Sequence, residues 1–178
     1  MLFRSRMKTL LSKSGLPISF CCADALHLPF ARDSFDLVHS FGLIEDYPIF
    51  LDLLSEQLRV LKPGGRLICV TLHRHSWHAL YKRLLGERYY SFAKFENDFC
   101  SRELTGAFQR LGLEKIELSY AEPVHRIAAA WPSRFFQRME ILLKRIDFYV
   151  EHRLKIPVAR YWSHDIYIKG DKPCESKR

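Results

Sequence analysis

Apolar residues fall into short runs separated by turn formers, and the spacing inside each run predicts its element. Leu2, Phe3, Met7, Leu10 and Leu11 share one face of a short helix over residues 2–14, stopped by Gly15 and Pro17. Ile18 to Cys22 is a continuous apolar run between turn formers, the pattern of a buried strand. Leu28-Pro29-Phe30 and Arg32-Asp33-Ser34 read as loop, and Phe35 to Ser40 as the next strand. Pro48 suits the first turn of a helix running to about Leu61, with Phe50, Leu51, Leu54, Leu58 and Leu61 inward. Lys62-Pro63-Gly64-Gly65 stops it, and Arg66 to Leu72 is a third strand. Further on, His78 to Leu85 reads as helical, and Ser101 as the N-cap of a helix that ends at Gly112. A strand from Glu114 to Tyr120, a long amphipathic helix from Arg134 to Arg153 and a last strand from Asp165 to Lys169 follow.

Strands and helices alternating through short connections predict an α/β fold with a parallel sheet. Composition agrees: of 178 residues, 48% are apolar and 27% charged, which excludes a disordered tail, a collagen-like fibre and a coiled coil. No apolar run reaches the ~18–20 residues of a membrane span. Arg4, Arg6 and Lys8 near the start precede no apolar signal core, so a secretory signal is not expected. The five cysteines show no C-x-x-C spacing, and Cys21, Cys22 and Cys69 lie in apolar runs where a thiol acts as a small hydrophobe. A reducing, cytoplasmic compartment without disulfides is the expectation.

Charge changes the picture in the second half only. The formal net charge is +8, yet residues 1–72 carry 8 basic and 7 acidic side chains. Pro123 to Arg160 alone holds 8 basic against 3 acidic residues. Any affinity for a polyanion is therefore expected from that segment.

Three stretches carry a family resemblance. ADALHLPF (Ala23 to Phe30) follows a strand, SFDLVHS (Ser34 to Ser40) forms the next, and RVLKPGGRLI (Arg59 to Ile68) joins a helix to the third. In this order the segment resembles the class I S-adenosylmethionine-dependent methyltransferases, in the branch called type 11. The resemblance implies S-adenosyl-L-methionine as cofactor. It places Asp24 on the adenine amino group, the Ala25 amide on the ring, and Ser40, Phe41 and Gly42 towards the methionine part. Ligands of open parallel sheets bind beyond the carboxyl ends of the strands, where these residues fall. Glu45, Asp46 and Tyr47 lie in a loop where the family often faces substrate, though a solvated acidic turn fits them equally.

The family's glycine-rich cofactor loop has no counterpart here, since none of the eight glycines forms a G-x-G. Nor does the acidic residue that grips the ribose. The expected fold is thus a Rossmann-like methyltransferase sheet lacking its first two strands, with a helical insertion before the last strand. The expected organisation is one partial domain, 1–178, with residues 123–160 as an insertion or lid. The family's strand order is 3-2-1-4-5-7-6, so Ile18 to Cys22 is expected to pair directly with Phe35 to Ser40. A truncated chain and a genuine remnant both remain open, and tight cofactor binding by these 178 residues alone is not expected.

Catalytic residues are not evident. His73, just past the third strand, is a candidate general base, although a lone histidine there is more often a neutral surface residue. His73, His75 and His78 have irregular spacing and no acidic or cysteine partner, so no metal is expected. Methyl transfer from a sulfonium asks mainly for alignment, so a missing dyad does not argue against it. On the basic helix, Phe135, Phe136, Met139, Leu142, Leu143, Ile146 and Val150 form an apolar stripe, with Arg138, Lys144, Arg145 and Arg153 largely off it. A core-packing helix with a solvated basic face is the first reading. A lid over an apolar or acidic substrate and peripheral membrane contact through 134–153 follow. Nucleic acid is not the expected partner, because these residues form no known binding module. The leading function is methyl transfer to a small-molecule or lipid-like acceptor. A non-catalytic, partner-binding remnant and a nucleic-acid methyltransferase are the alternatives.

Overall fold

The computed structural model describes residues 18–76, 97–121, 163 and 165–174, with single positions at 79, 83, 138, 141–142, 145–146, 149–150 and 152–155. The helix expected over 2–14 lies outside the described residues. The elements are β1 (Phe35–Phe41), a 3₁₀ turn (Ile44–Asp46), α1 (Phe50–Val60), β2 (Leu61–Leu72), α2 (Ser101–Arg110), β3 (Glu114–Ala121) and β4 (Asp165–Asp171). They form a mixed four-stranded sheet of order β1-β2-β4-β3. β1 and β2 are parallel, and β4 runs antiparallel to both its neighbours.

Period-two burial fixes which face carries the core. Leu67, Cys69 and Thr71 on β2 lie beside Gly170, Ile168 and Ile166 on β4, and all six are buried. Leu53 and Leu54 of α1 and Leu104, Ala107 and Phe108 of α2 belong to the same core. Leu53 completes a helix face from which the expected inward set omitted it. The second helix starts one residue earlier in its capping than expected. Cys100, not Ser101, is the N-cap, and its amide donates to Glu103 Oε2 at 3.0 Å. That bond is half of a capping box, which satisfies an otherwise orphaned donor.

Ile18 to Cys22 does not form the expected strand and does not pair with β1. Its residues belong to no strand or bridge, and Ile18, Ser19, Cys21 and Cys22 are exposed. The thiols of Cys21 and Cys22 are therefore not small core hydrophobes. The physical reason lies in the connection. Adjacent parallel strands need a crossover of about a dozen residues, usually a helix. Residues 23–34 are instead pinned as a loop along α1. Arg59 makes a two-pronged bond to Glu56 at 2.8 Å on each prong, and donates to the carbonyls of Phe30 at 2.9 Å and Leu28 at 3.0 Å. The Leu28 amide donates back to Glu56 Oε1 at 2.7 Å. With no neighbour on that side among the described residues, β1 is an edge strand that exposes Leu37 and Phe41.

Lys172 fastens the other end of the same loop. Its ammonium donates to Asp33 Oδ1 at 2.7 Å and to the carbonyls of Leu58 at 3.0 Å and Leu61 at 2.6 Å. A cation on the last carbonyls of α1 complements the negative end of the helix dipole. One lysine after β4 thus holds together the entry to β1 and the exit of α1.

The Glu56–Arg59 clamp gives the first testable consequence. The Arg59 guanidinium, helped by the Leu28 amide, holds the Glu56 carboxyl down from its ordinary 4.5 to about 2. A depressed carboxylate contributes stability that is present above its unfolded pKa and is lost as pH falls towards the folded value. Urea midpoints are therefore expected to fall between pH 5 and pH 2 in the native chain, with a flatter dependence in Glu56→Gln. Identical pH dependence in the two proteins would show that the clamp does not couple to folding.

Candidate functional site

The carboxyl ends of β1 and β2 gather several buried polar side chains, Ser40, Glu45, Thr71 and His73. β1 ends in Ser40, Phe41 and Gly42, and the three diverge. Ser40 is buried, and its hydroxyl bonds inward to Gln57 Oε1 at 3.3 Å and Cys69 Sγ at 3.2 Å. Phe41 is 65% exposed. Gly42 has φ +60°, a left-handed conformation that favours glycine, and its amide donates to the Val70 carbonyl at 3.0 Å. The strand therefore turns sharply at Gly42, and the chain enters the 3₁₀ turn that carries Glu45.

Glu45 is the residue that sequence reasoning underrated. Its expected solvated turn is not found: Glu45 is 5% exposed, and its Oε2 accepts from Thr71 Oγ1 at 2.8 Å. The Glu45 carbonyl accepts from the Asn97 amide at 2.8 Å, which ties the turn to the segment before α2. Oε1 lies 3.6 Å from where a Gly42 side chain would begin. Asp46 alone of the trio is exposed, while Tyr47 packs against the core. Beneath this turn, burial pushes the Cys69 thiol up to about 12, so it is neutral and unreactive.

Asp24 lies on the loop before β1. It is exposed, and its Oδ1 accepts from the Leu26 amide at 3.0 Å while Oδ2 contacts His27 Nδ1 at 3.2 Å. The Leu26 amide, with the His27 bond added, holds the carboxyl below its ordinary value. Asp24 is thus an ionised acceptor shaped into a turn, with lone pairs beyond those the turn uses. Ala25 beside it is half-buried against the core. Both lie on the loop that α1 clamps.

His73 is buried, not a surface residue. Its Nδ1 faces the Ser163 carbonyl at 3.1 Å and the Ser163 hydroxyl at 3.3 Å. Its ring stands 5.4 Å from His75 and 5.5 Å from Tyr120. Burial pushes its pKa down, so the ring is neutral near pH 7. Among the described residues no group of three potential metal ligands converges.

The sheet order agrees with the fold that the resemblance implies. Removing strands 3, 2 and 1 from the order 3-2-1-4-5-7-6 leaves 4-5-7-6, which matches β1-β2-β4-β3 with the penultimate position antiparallel. The missing set is one strand larger than expected, because Ile18 to Cys22 forms none among the described residues. Residues 2–69 match the methyltransferase domain family model. That segment is thus similar to the type 11 branch of the class I methyltransferases, a family whose cofactor is S-adenosylmethionine.

Relatives extend the match. A demethylmenaquinone methyltransferase of Lactococcus lactis is 39% identical over 66 residues, covering 37% of this chain and 26% of the relative. One from Oceanobacillus iheyensis is 30% identical over 114 residues, covering 53% of this chain and 48% of the relative. The chain thus spans about half or less of the curated relatives it matches. A solved S-adenosylmethionine-dependent methyltransferase of Thermotoga maritima shares the fold with a TM-score of 0.62 at 20% identity, covering 94% of this chain and 69% of that one.

Proposed function

We propose that this chain is the C-terminal portion of an S-adenosylmethionine-dependent methyltransferase that acts on a small-molecule or lipid-like acceptor in the cytoplasm. The observation that carries the reading is the strand order β1-β2-β4-β3, with the three sequence motifs on the loop before β1, on β1 and across the α1–β2 junction. The names of the curated relatives support a small-molecule acceptor, and five free thiols suit a reducing compartment. We assign 1–178 to one domain with residues 123–160 as its insertion.

The residues present fit one end of the cofactor. Asp24 is an exposed, ionised acceptor suited to an adenine amino group, with the Ala25 amide next to it. Gly42 turns the backbone at the carboxyl end of β1, where the methionine part belongs. S-adenosylmethionine supplies the electrophilic methyl group and its own leaving group. The protein's task is then to orient the acceptor and exclude water, which needs no side-chain base. The buried Thr71–Glu45 hydrogen bond, and those of Ser40 to Gln57 and Cys69, keep the walls of that end rigid.

Equilibrium dialysis against radiolabelled S-adenosylmethionine tests the reading. Weak, saturable binding is expected, and Asp24→Ala is expected to weaken it about tenfold, the ~1.4 kcal/mol of one hydrogen bond to a charged acceptor. The thermal melt of that variant should barely move, because Asp24 is exposed. A complete lack of binding at millimolar cofactor would sink this reading. It would favour a second one, a non-catalytic partner-binding domain, for which the exposed Leu37 and Phe41 on the open edge of β1 are the favouring observation.

A further inference from the structure

The long basic helix is not packed as its sequence pattern suggests. The stretch between β3 and β4 is helical at described positions from 138 to 153. Ile141, Leu142, Ile146 and Tyr149 are 48–58% exposed there, so the expected core stripe is not buried at Leu142 and Ile146. Arg138, Arg145 and Arg153 are exposed too. Positions 138, 141, 142, 145, 146, 149 and 153 follow three- and four-residue steps, which is one face of a helix. Aliphatic and guanidinium groups are therefore interleaved on the same face, not divided between a core face and a solvent face.

We propose that this face docks on an anionic membrane surface and holds the protein at the bilayer interface. The inference goes beyond the methyltransferase reading and does not depend on it. Charge complementarity selects the occupant. The described positions of the face carry no acidic residue, and in the sequence Glu140, Asp147 and Glu151 keep a spacing out of step with it. Aliphatic side chains enter the acyl boundary while guanidinium groups reach back to lipid phosphates along their apolar stems. Tyr149 suits the same depth, with an apolar ring and a polar tip. A nucleic acid would match the three arginines but would leave three aliphatic side chains in water. No helix among the described residues is long and apolar enough to cross a membrane, so the contact is interfacial.

Flotation of the 178-residue chain with vesicles tests the proposal. The chain is expected to float with equimolar phosphatidylglycerol and phosphatidylcholine, and to float at least about tenfold less with phosphatidylcholine alone. The double substitution Leu142→Glu with Ile146→Glu is expected to lower partition more than about tenfold. Arg138→Gln, Arg145→Gln and Arg153→Gln should each lower it about fivefold, with a weaker salt dependence. Far-UV melts should be unchanged in all of them, because the positions are exposed. No flotation with anionic vesicles would overturn the proposal. So would flotation that the glutamate pair leaves unchanged, or displacement from vesicles by RNA or DNA whose own binding ignores that pair.

Discussion

Phe108→Ala is expected to destabilise the fold by about 3–5 kcal/mol, the cost of a lost aromatic plus the cavity it leaves. Phe108 is fully buried on the inner face of α2 and meets β4 where Gly170 has no side chain. A Cβ at Gly170 would lie 3.0 Å from the ring and 3.1 Å from Leu113 Cβ, so ring and glycine are mutually fitted. Nothing nearby is free to collapse into the space, since Leu104, Leu113, Ile166 and Ile168 are themselves buried in the same core. Single domains are stable by about 5–15 kcal/mol, so the loss is a large share of the total. Urea denaturation should show a lower midpoint at an unchanged slope. A loss under about 1 kcal/mol would mean that α2 does not rest on β4 as described.

Gly65→Ala should destabilise by about 1–3 kcal/mol or more, for the opposite reason of overpacking. A Cβ there would lie 2.8 Å from Leu61 Cδ1, 2.9 Å from the Lys62 carbonyl and 3.0 Å from the Asp36 carbonyl. Two of those three atoms are backbone, and no rotamer change moves them. The register between β1 and β2 is already irregular from Phe35 to Leu37, opposite the Lys62–Gly65 stretch of β2. Gly106 supplies the control of opposite sign. It lies inside α2 with open space around its Cβ position, so Gly106→Ala is expected to stabilise by about 0.5–1 kcal/mol through helix propensity. Paired denaturation curves separate the two cases. Equal effects at both glycines would contradict the close approach in the Lys62–Gly65 stretch of β2.

Much of the fold was legible because it is local. The period of Phe50, Leu54 and Leu58 and the alternating burial of β2 each follow from neighbours in sequence. β2 nevertheless begins at Leu61 and takes in Lys62 to Gly65, expected as a turn, as an irregular stretch of strand. The resemblance then supplied a strand order that the structure bears out for four strands. The candidate site was legible in part. Gly42 stands at the end of β1 as expected, whereas the strand expected before Asp24 does not form. The burial of Glu45 was not read, because it depends on Thr71 and Asn97, which are distant in sequence.

Sequence alone determined the two helices and four strands of the described sheet layer, their α/β class and the methyltransferase resemblance of the first segment, because spacing and turn chemistry act over a few residues. Tertiary structure decided three other matters. An apolar run at Ile18 to Cys22 is strand-like only if a neighbour offers its ladder, and the clamp of residues 28–30 on Glu56 and Arg59 leads the chain elsewhere. An amphipathic helix is a core helix only if something covers its apolar face, and Leu142 and Ile146 are left exposed. Histidine at a strand end is a surface residue only if nothing folds over it, and Ser163 and Tyr120 fold over His73. In each case the deciding partner is far away in the chain, where local spacing carries no information.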